Sequence, residues 1–282
     1  MSQLIVRGVP VPSFGYGTAW KEERTQELTA LALRAGFRAV DTANQRRHYV
    51  EAGVGAALGE VLASGAVRRD ELFLQTKFTY PRGQDHRLPY DRSAPVGRQV
   101  EQSFASSLEH LGTTAIDSYV LHGPTNAHGL TPTDVEVWRA MEAIQASGRA
   151  RLLGVSNVAL DQLRDLVEMA AVPPAVVQNR CYASDGWDRE VRAFCRGHGI
   201  LYQGFSLLTA NRSELARPAI DAIMQRTGRT RAQLVFRFAL QVGMMPLTGT
   251  SSLDHMREDL AALDFELAPP DVEAIETIGE SA

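Results

Sequence analysis

The feature that most constrains this chain is an eightfold alternation. Short apolar runs that read as strands are each followed by a polar loop and an amphipathic run that reads as a helix. The strand-like runs fall at 14–19, 39–43, 72–78, 116–123, 151–157, 175–180, 200–206 and 244–249. A strand returns parallel to its neighbour only through a crossover, usually a helix, so the alternation predicts a parallel sheet. Eight such units predict a closed (β/α)8 TIM barrel. The open doubly wound sheet lacks its signature here, because FGYGTAW at 14–20 leads into no third glycine of a GxGxxG phosphate loop.

Around that repeat the chain reads as one domain over 1–282. No linker, low-complexity tract or repeat beyond the βα unit divides it, and 282 residues at 44% hydrophobic composition supply a large core. The stretch 4–12 predicts a hairpin closing the N-terminal end of the barrel, and a helix over 21–35 stops at Gly36. The long loop at 79–95 is rich in Pro, Gly, Tyr and charge, as functional loops often are. Net charge is −4 with both signs interspersed, which argues against a nucleic-acid or anionic-membrane surface. No apolar stretch approaches the roughly 20 residues of a membrane-spanning helix. Cys181 and Cys195 are not in CxxC spacing, and the start MSQLIVRG shows no secretory pattern, so the expected location is the cytoplasm.

In a barrel of this kind the chemistry sits at the C-terminal ends of the strands. The polar residues there are Asp41 on the second strand, Lys77 on the third, His122 on the fourth, Ser156 and Asn157 on the fifth, and Gln178 and Asn179 on the sixth, with Tyr49 in the loop after Asp41. A carboxylate, an ammonium, an imidazole and a phenol at one mouth form an acid/base set suited to a carbonyl oxygen. A phenol is a weak acid at neutral pH, so Lys77 is expected to lower its pKa while Asp41 keeps Lys77 charged. His122 is expected to hold the carbonyl oxygen by a hydrogen bond. Taken singly, a Lys or Asp at a strand end is ordinarily solvated or ion-paired, and it is their joint occurrence that points to chemistry. The other histidines show no metal-ligand spacing, so no metal site is expected.

These segments resemble the aldo-keto reductase family from about Phe14 to about Ile278. DTA at 41–43, continued by Tyr49, Glu51 and Val54-Gly55, resembles the family's DTA…Y…E..VG motif. TKF at 76–78 is similar to its TK segment, SLEHLGTTAIDSYVLHGP at 107–124 to SL..L….DLYLIHWP, and GRARLLGVSN at 148–157 to GK.R.IGVSN. The resemblance implies a tetrad of Asp41, Tyr49, Lys77 and His122, and a nicotinamide carboxamide held by Ser156, Asn157 and Gln178. It places Phe205 where the family usually has a Tyr stacking on the nicotinamide, and a Phe face stacks as well. Thr18, Ser206 and Leu208 complete that end of the implied cofactor site, while Trp138 is read as helix packing.

Three departures from the family pattern matter. The loop from Asp41 to Glu51 is long: counting back from Glu51 puts His48 at the tyrosine position, and counting from the strand puts Tyr49 one place off. Tyr49 is taken as the acid because the chemistry needs a phenol, with His48 as the alternative. Leu247 stands where the family often has the lysine that pairs with a 2′-phosphate. Thr248, Gly249, Thr250 and Ser251, with His255 or Arg257 nearby, remain to bind phosphate, and Glu258 and Asp259 resemble the pair that contacts adenine. NADP(H) is thus the first expectation and NAD(H) the second. The C-terminal stretch beyond the last helix is short, ending in Gly279-Glu-Ser-Ala, which makes the 79–95 loop the expected wall of the pocket. Trp20, Tyr80, His86 and Tyr90 are the expected substrate contacts.

The leading functional expectation is an NAD(P)H-dependent reductase of aldehydes or ketones acting on a small-molecule carbonyl substrate, a monomer by resemblance. A cofactor-sensing barrel with little turnover and a lyase or dehydratase on the same fold are the alternatives. The sensor has the displaced tyrosine and the missing lysine as its support. Asp41, Lys77 and His122 argue for the enzyme.

Overall fold

A computed structural model describes residues 3–280. The hairpin comes first, β1 (Gln3–Val6) against β2 (Val9–Pro12). The barrel strands follow: β3 (Gly15–Gly17), β4 (Ala39–Asp41), β5 (Phe73–Phe78), β6 (Ile116–Leu121), β7 (Ala150–Ser156), β8 (Val176–Arg180), β9 (Leu201–Phe205) and β10 (Met244–Thr248). They close in sequence order, all parallel, with β10 paired back to β3. Every run expected from the sequence therefore forms a strand, with ends that differ by at most two residues where the chain joins a loop; β7 begins one residue earlier, at Ala150.

The helices between strands are α1 (Thr25–Ala35), α2 (Glu51–Ala63), α3 (Val96–Leu111), α4 (Pro132–Ala146), α5 (Leu160–Met169), α6 (Arg189–Gly197), α7 (Pro218–Thr227) and α8 (Arg231–Gln241), with α9 (Leu253–Leu260) and α10 (Pro269–Glu276) after the last strand. Gly36 caps α1 at φ 120°, a left-handed value that a side chain disfavours, and its N–H bonds back to Ala32 and Leu33. Trp138 on α4 is fully buried, with its indole N–H donating to Val172 O at 3.1 Å, which is the packing role expected of it.

The hairpin seals the bottom as the sequence implies. Val6, Val9 and Val11 pack against Ala39, Phe73, Leu152, Val176, Leu201, Met245 and Leu247, the inward residues of the barrel's lower layer. Strand periodicity then decides what lies above, because residues two apart share a face. Phe73, Gln75 and Lys77 rise along the inside of β5, Val176, Gln178 and Arg180 along β8, and Leu201, Gln203 and Phe205 along β9. The interior thus changes from apolar at the hairpin to polar at the C-terminal mouth. Among the described residues no helix is long and apolar enough to cross a membrane.

Candidate active site

Lys77 is fully buried at the upper end of β5, and its ammonium donates to both carboxylate oxygens of Asp41 at 2.7 Å and to Thr42 O at 2.9 Å. Three glutamines support this pair from the barrel interior. Gln75 and Gln178 donate to Asp41 Oδ1 at 2.8 and 3.0 Å, and both also donate to Gln203 Oε1, at 2.8 and 2.9 Å. An ion pair in so dry a place survives only when its remaining lone pairs are satisfied, which is what these amides do. Burial pulls the Lys77 ammonium below the usual lysine range, and Asp41 works against that pull.

The irregular loop after β4 brings Tyr49, and not His48, over this pair. The Lys77 ammonium lies 5.3 Å from the centre of the Tyr49 ring, and the His122 ring centre is 6.0 Å from the same ring, edge-on. His48 also lines the cavity but lies against Trp20, with ring centres 3.8 Å apart, while its carbonyl accepts the Trp20 backbone N–H at 2.8 Å. The phenol does not behave as expected, however. Burial first, and then the Asp41 charge, push its pKa up rather than down; the Lys77 hydrogens are spent on Asp41 and Thr42, and among the described residues the Tyr49 hydroxyl makes no hydrogen bond. His122 goes the other way: burial first, then the Lys77 charge, lowers its pKa to about 3, so the ring is neutral. Its Nδ1 is 2.7 Å from the Thr79 hydroxyl.

These residues open on a cavity of about 820 Å³ at the C-terminal mouth. Of the residues expected at a cofactor, Ser156, Gln178, Phe205, Ser206, Leu208, Thr248, Gly249, Thr250, His255, Glu258 and Asp259 line it, as do Asp41, His48, Tyr49, His122 and Trp20. Asn157 stands beside Ser156 in a left-handed conformation (φ 50°), its amide donating to His122 O at 2.8 Å. Thr18 is buried behind the wall, with its hydroxyl donating to Asp41 O at 3.0 Å, and Ser251 is exposed outside the lining.

Tyr80, Tyr90 and His86 are placed differently from the expectation. Tyr80 and Tyr90 are buried against Phe78, with their hydroxyls donating to Asp134 at 2.8 Å and to Thr79 O at 2.7 Å, so the 79–95 loop folds onto α4 and β5 instead of walling the cavity. His86 is exposed and does not line the cavity. Ser281 and Ala282, at the short C-terminal stretch, lie outside the described residues.

Sequence reasoning passed over Lys21, Gln45, Arg180, Leu207 and Thr209, which line the cavity, and Gln75, Gln203 and Thr79, which brace it. The signal for three of them was the period of two: Gln75 precedes Lys77, Gln203 precedes Phe205 and Arg180 follows Gln178 by two residues on inward faces.

The cavity fits a nicotinamide dinucleotide. Gln178 spends its amide hydrogens on Asp41 and Gln203, which leaves Oε1 without a donor among the described residues, beside the Ser156 hydroxyl, a pair of groups suited to a carboxamide. Phe205 offers a ring face. At the far end a Cβ on Gly249 would meet Gly17 O and Lys21 Nζ at 3.5 Å, an ordinary contact. Lys21 donates to Gly249 O there, and the Tyr16 hydroxyl donates to Thr250 O at 3.0 Å. Among the described residues no three His, Cys, Asp or Glu side chains gather as a metal site.

The profile of the Aldo/keto reductase family matches residues 13–280. The chain belongs to that family. An aldo-keto reductase of Mycolicibacterium vanbaalenii is 32% identical over 273 residues, covering 96% of this chain and 89% of the relative. Among solved structures, an aldo/keto reductase from Brucella melitensis superposes with a TM-score of 0.83 at 25% identity over 98% of this chain and 99% of that one. The fold of a Bombyx mori aldo-keto reductase solved in complex with NADP matches with a TM-score of 0.82 at 24% identity, covering 98% of this chain and 92% of that one. As an aldo/keto reductase the protein is an NAD(P)H-dependent oxidoreductase.

Proposed function

We propose that the protein reduces aldehydes or ketones to alcohols with NADP(H), and that Tyr49 is the proton donor. One observation carries this reading: the Tyr49 ring, and not the His48 ring, lies against the Lys77 ammonium and His122 at the floor of the cavity. Ser156, Asn157 and Gln178 hold the carboxamide, Phe205 stacks on the ring, and Ser206 and Leu208 line the way to the phosphates. Thr248, Gly249, Thr250, Ser251 and His255 receive the phosphates, and Glu258 and Asp259 the adenine. NADP is what the Bombyx mori relative was solved with. Leu247 in place of a lysine makes NAD(H) the second cofactor to test.

Bound there, the reduced nicotinamide supplies a hydride to the carbonyl carbon. The rest falls to this chain's own groups. The His122 tautomer that serves this step has Nδ1 accepting from the Thr79 hydroxyl 2.7 Å away and Nε2–H left to polarise the carbonyl oxygen. Tyr49 passes its phenolic proton to that oxygen as charge develops, and Lys77 offsets the phenolate left behind. Asp41 and the glutamines keep Lys77 in place. Fixed donors of this kind are each worth about 10²–10³ in rate. The proposed setting is a monomer in the reducing cytoplasm, in keeping with two buried free cysteines.

The test is oxidation of NADPH and of NADH by the wild-type protein with a panel of aldehydes and ketones, beside fluorescence titration of each cofactor. Turnover of at least one carbonyl compound is expected. Tight cofactor binding with no turnover anywhere on the panel overturns the reductase in favour of a cofactor-sensing barrel.

A further inference from the structure

Arg180 ends β8 on the same inward face as Gln178, about 6.6 Å further toward the mouth at the usual strand rise. In the closed order of strands β8 stands opposite β4, and Gln178 reaches Asp41 across the axis, so Arg180 faces the Tyr49 loop over the open cavity. Its register partner on β9 is Phe205, the proposed nicotinamide platform.

The Arg180 side chain is exposed to the cavity and has no ion-pair partner among the described residues. Its one contact of note is with Tyr182, whose ring centre is 5.6 Å from the guanidinium carbon. A guanidinium held by one face keeps its N–H edge free, and that planar fork matches a carboxylate bidentately. The other cation of the cavity, Lys21, is already engaged by Gly249 O, on the β10 side. The cavity's remaining carboxylates, Glu258 and Asp259, are on that side too.

The position argues for substrate over cofactor. Along the proposed cofactor path the carboxamide sits at β7 and β8, and the phosphates and adenine lie over β9 and β10. Arg180 is at the carboxamide end, away from the phosphates. We propose that Arg180 determines specificity in this same site by receiving a carboxylate of the substrate, so that the preferred substrates are aldehydes or ketones carrying an anionic oxygen group. The proposal rests on the reductase reading for its carbonyl and on Arg180 alone for its anion.

The experiment compares 4-formylbenzoate with its methyl ester in wild type, Arg180→Ala and Arg180→Lys, and titrates NADPH and the unreactive benzene-1,4-dicarboxylate by protein fluorescence. Wild type is expected to favour the acid over the ester by at least about tenfold in kcat/KM, the scale of one charge-assisted hydrogen bond. Arg180→Ala is expected to lose that preference through KM and to weaken dicarboxylate binding by a similar factor, with NADPH affinity unchanged and partial recovery in Arg180→Lys. Equal treatment of acid and ester by wild type and Arg180→Ala overturns the proposal. So does an Arg180→Ala variant that loses NADPH affinity but keeps the preference, since the guanidinium then serves the diphosphate. Failure of both aldehydes, and of the whole carbonyl panel, to react while dicarboxylate binding still depends on Arg180 overturns the reductase reading and leaves the anion site supported.

Discussion

Lys77 and Asp41 form an ion pair on the barrel axis in which the ammonium meets both carboxylate oxygens at 2.7 Å, with the Lys77 side chain fully buried. Removing one charge strands the other in a dry interior. Asp41→Asn is expected to destabilise the fold by about 3–5 kcal/mol and to lower kcat by about 10²-fold or more. The double variant Asp41→Asn with Lys77→Met is expected to regain much of the stability and none of the turnover. Denaturant unfolding and steady-state kinetics on the three variants check both halves.

Asp259 gives a pH signature in stability. Burial is the main cause that raises its carboxyl to about 6, against the hydrogen bond it accepts from Thr248. The unfolded value is about 3.9, so between these two pH values the native state holds a proton that the unfolded state has lost. Stability from this group is therefore present below about 4 and lost as pH rises through about 6, on the order of 2–3 kcal/mol in all. Asp259→Asn, which still accepts from Thr248, is expected to raise the unfolding free energy at pH 7 and to flatten its pH dependence over that window. An unchanged slope in denaturant melts between pH 4 and 7 contradicts this.

The pH dependence of turnover follows from the two rings beside Lys77. His122, lowered to about 3, stays neutral throughout the working range, and Tyr49, raised above the ordinary phenol value near 10, stays protonated there. The kcat/KM profile is expected to be flat from about pH 5 to pH 8, with loss only on the alkaline side as the phenol ionises. A fall in activity as pH rises through the range below about 6.5 points to an imidazole acid instead, and His48, whose pKa burial and then the Arg47 charge lower, is the one in reach.

Tyr80 tests where the long loop sits. Its hydroxyl donates to Asp134 Oδ1, which also accepts the Thr125 N–H at 2.9 Å. Tyr80→Phe removes one of several bonds to that carboxylate, so it is expected to cost about 1 kcal/mol of stability and to leave kcat and KM unchanged. A changed KM returns the loop to the substrate pocket.

The barrel was legible because its signals are local and repeated. Every strand carries its own apolar run, and Gly36 marks the end of α1 because a residue without a Cβ takes the positive φ found there. That Asp41, Lys77 and His122 come together was legible for a related reason: strand ends converge in any closed barrel, so these three needed only their strand positions. The loops were not. Whether Tyr49 or His48 meets Lys77 and His122 depends on tertiary contacts, chiefly the Trp20 ring against which His48 lies. Tyr80 and Tyr90 were misplaced because loop aromatics read alike whether they face a pocket or a core, and here Phe78 and Asp134 draw them inward. The upward shift of Tyr49 was hidden because sequence shows that a lysine is near but not which acceptors its hydrogens already serve.

The most direct test of the central claim is single-turnover reduction of one good aldehyde by wild type, Tyr49→Phe and His48→Ala, with NADPH affinity measured alongside. The account predicts that Tyr49→Phe binds the cofactor normally and loses about 10²-fold or more in rate, while His48→Ala stays within a few-fold of wild type. Loss of the reaction in His48→Ala with Tyr49→Phe still active contradicts it and transfers the proton to the imidazole.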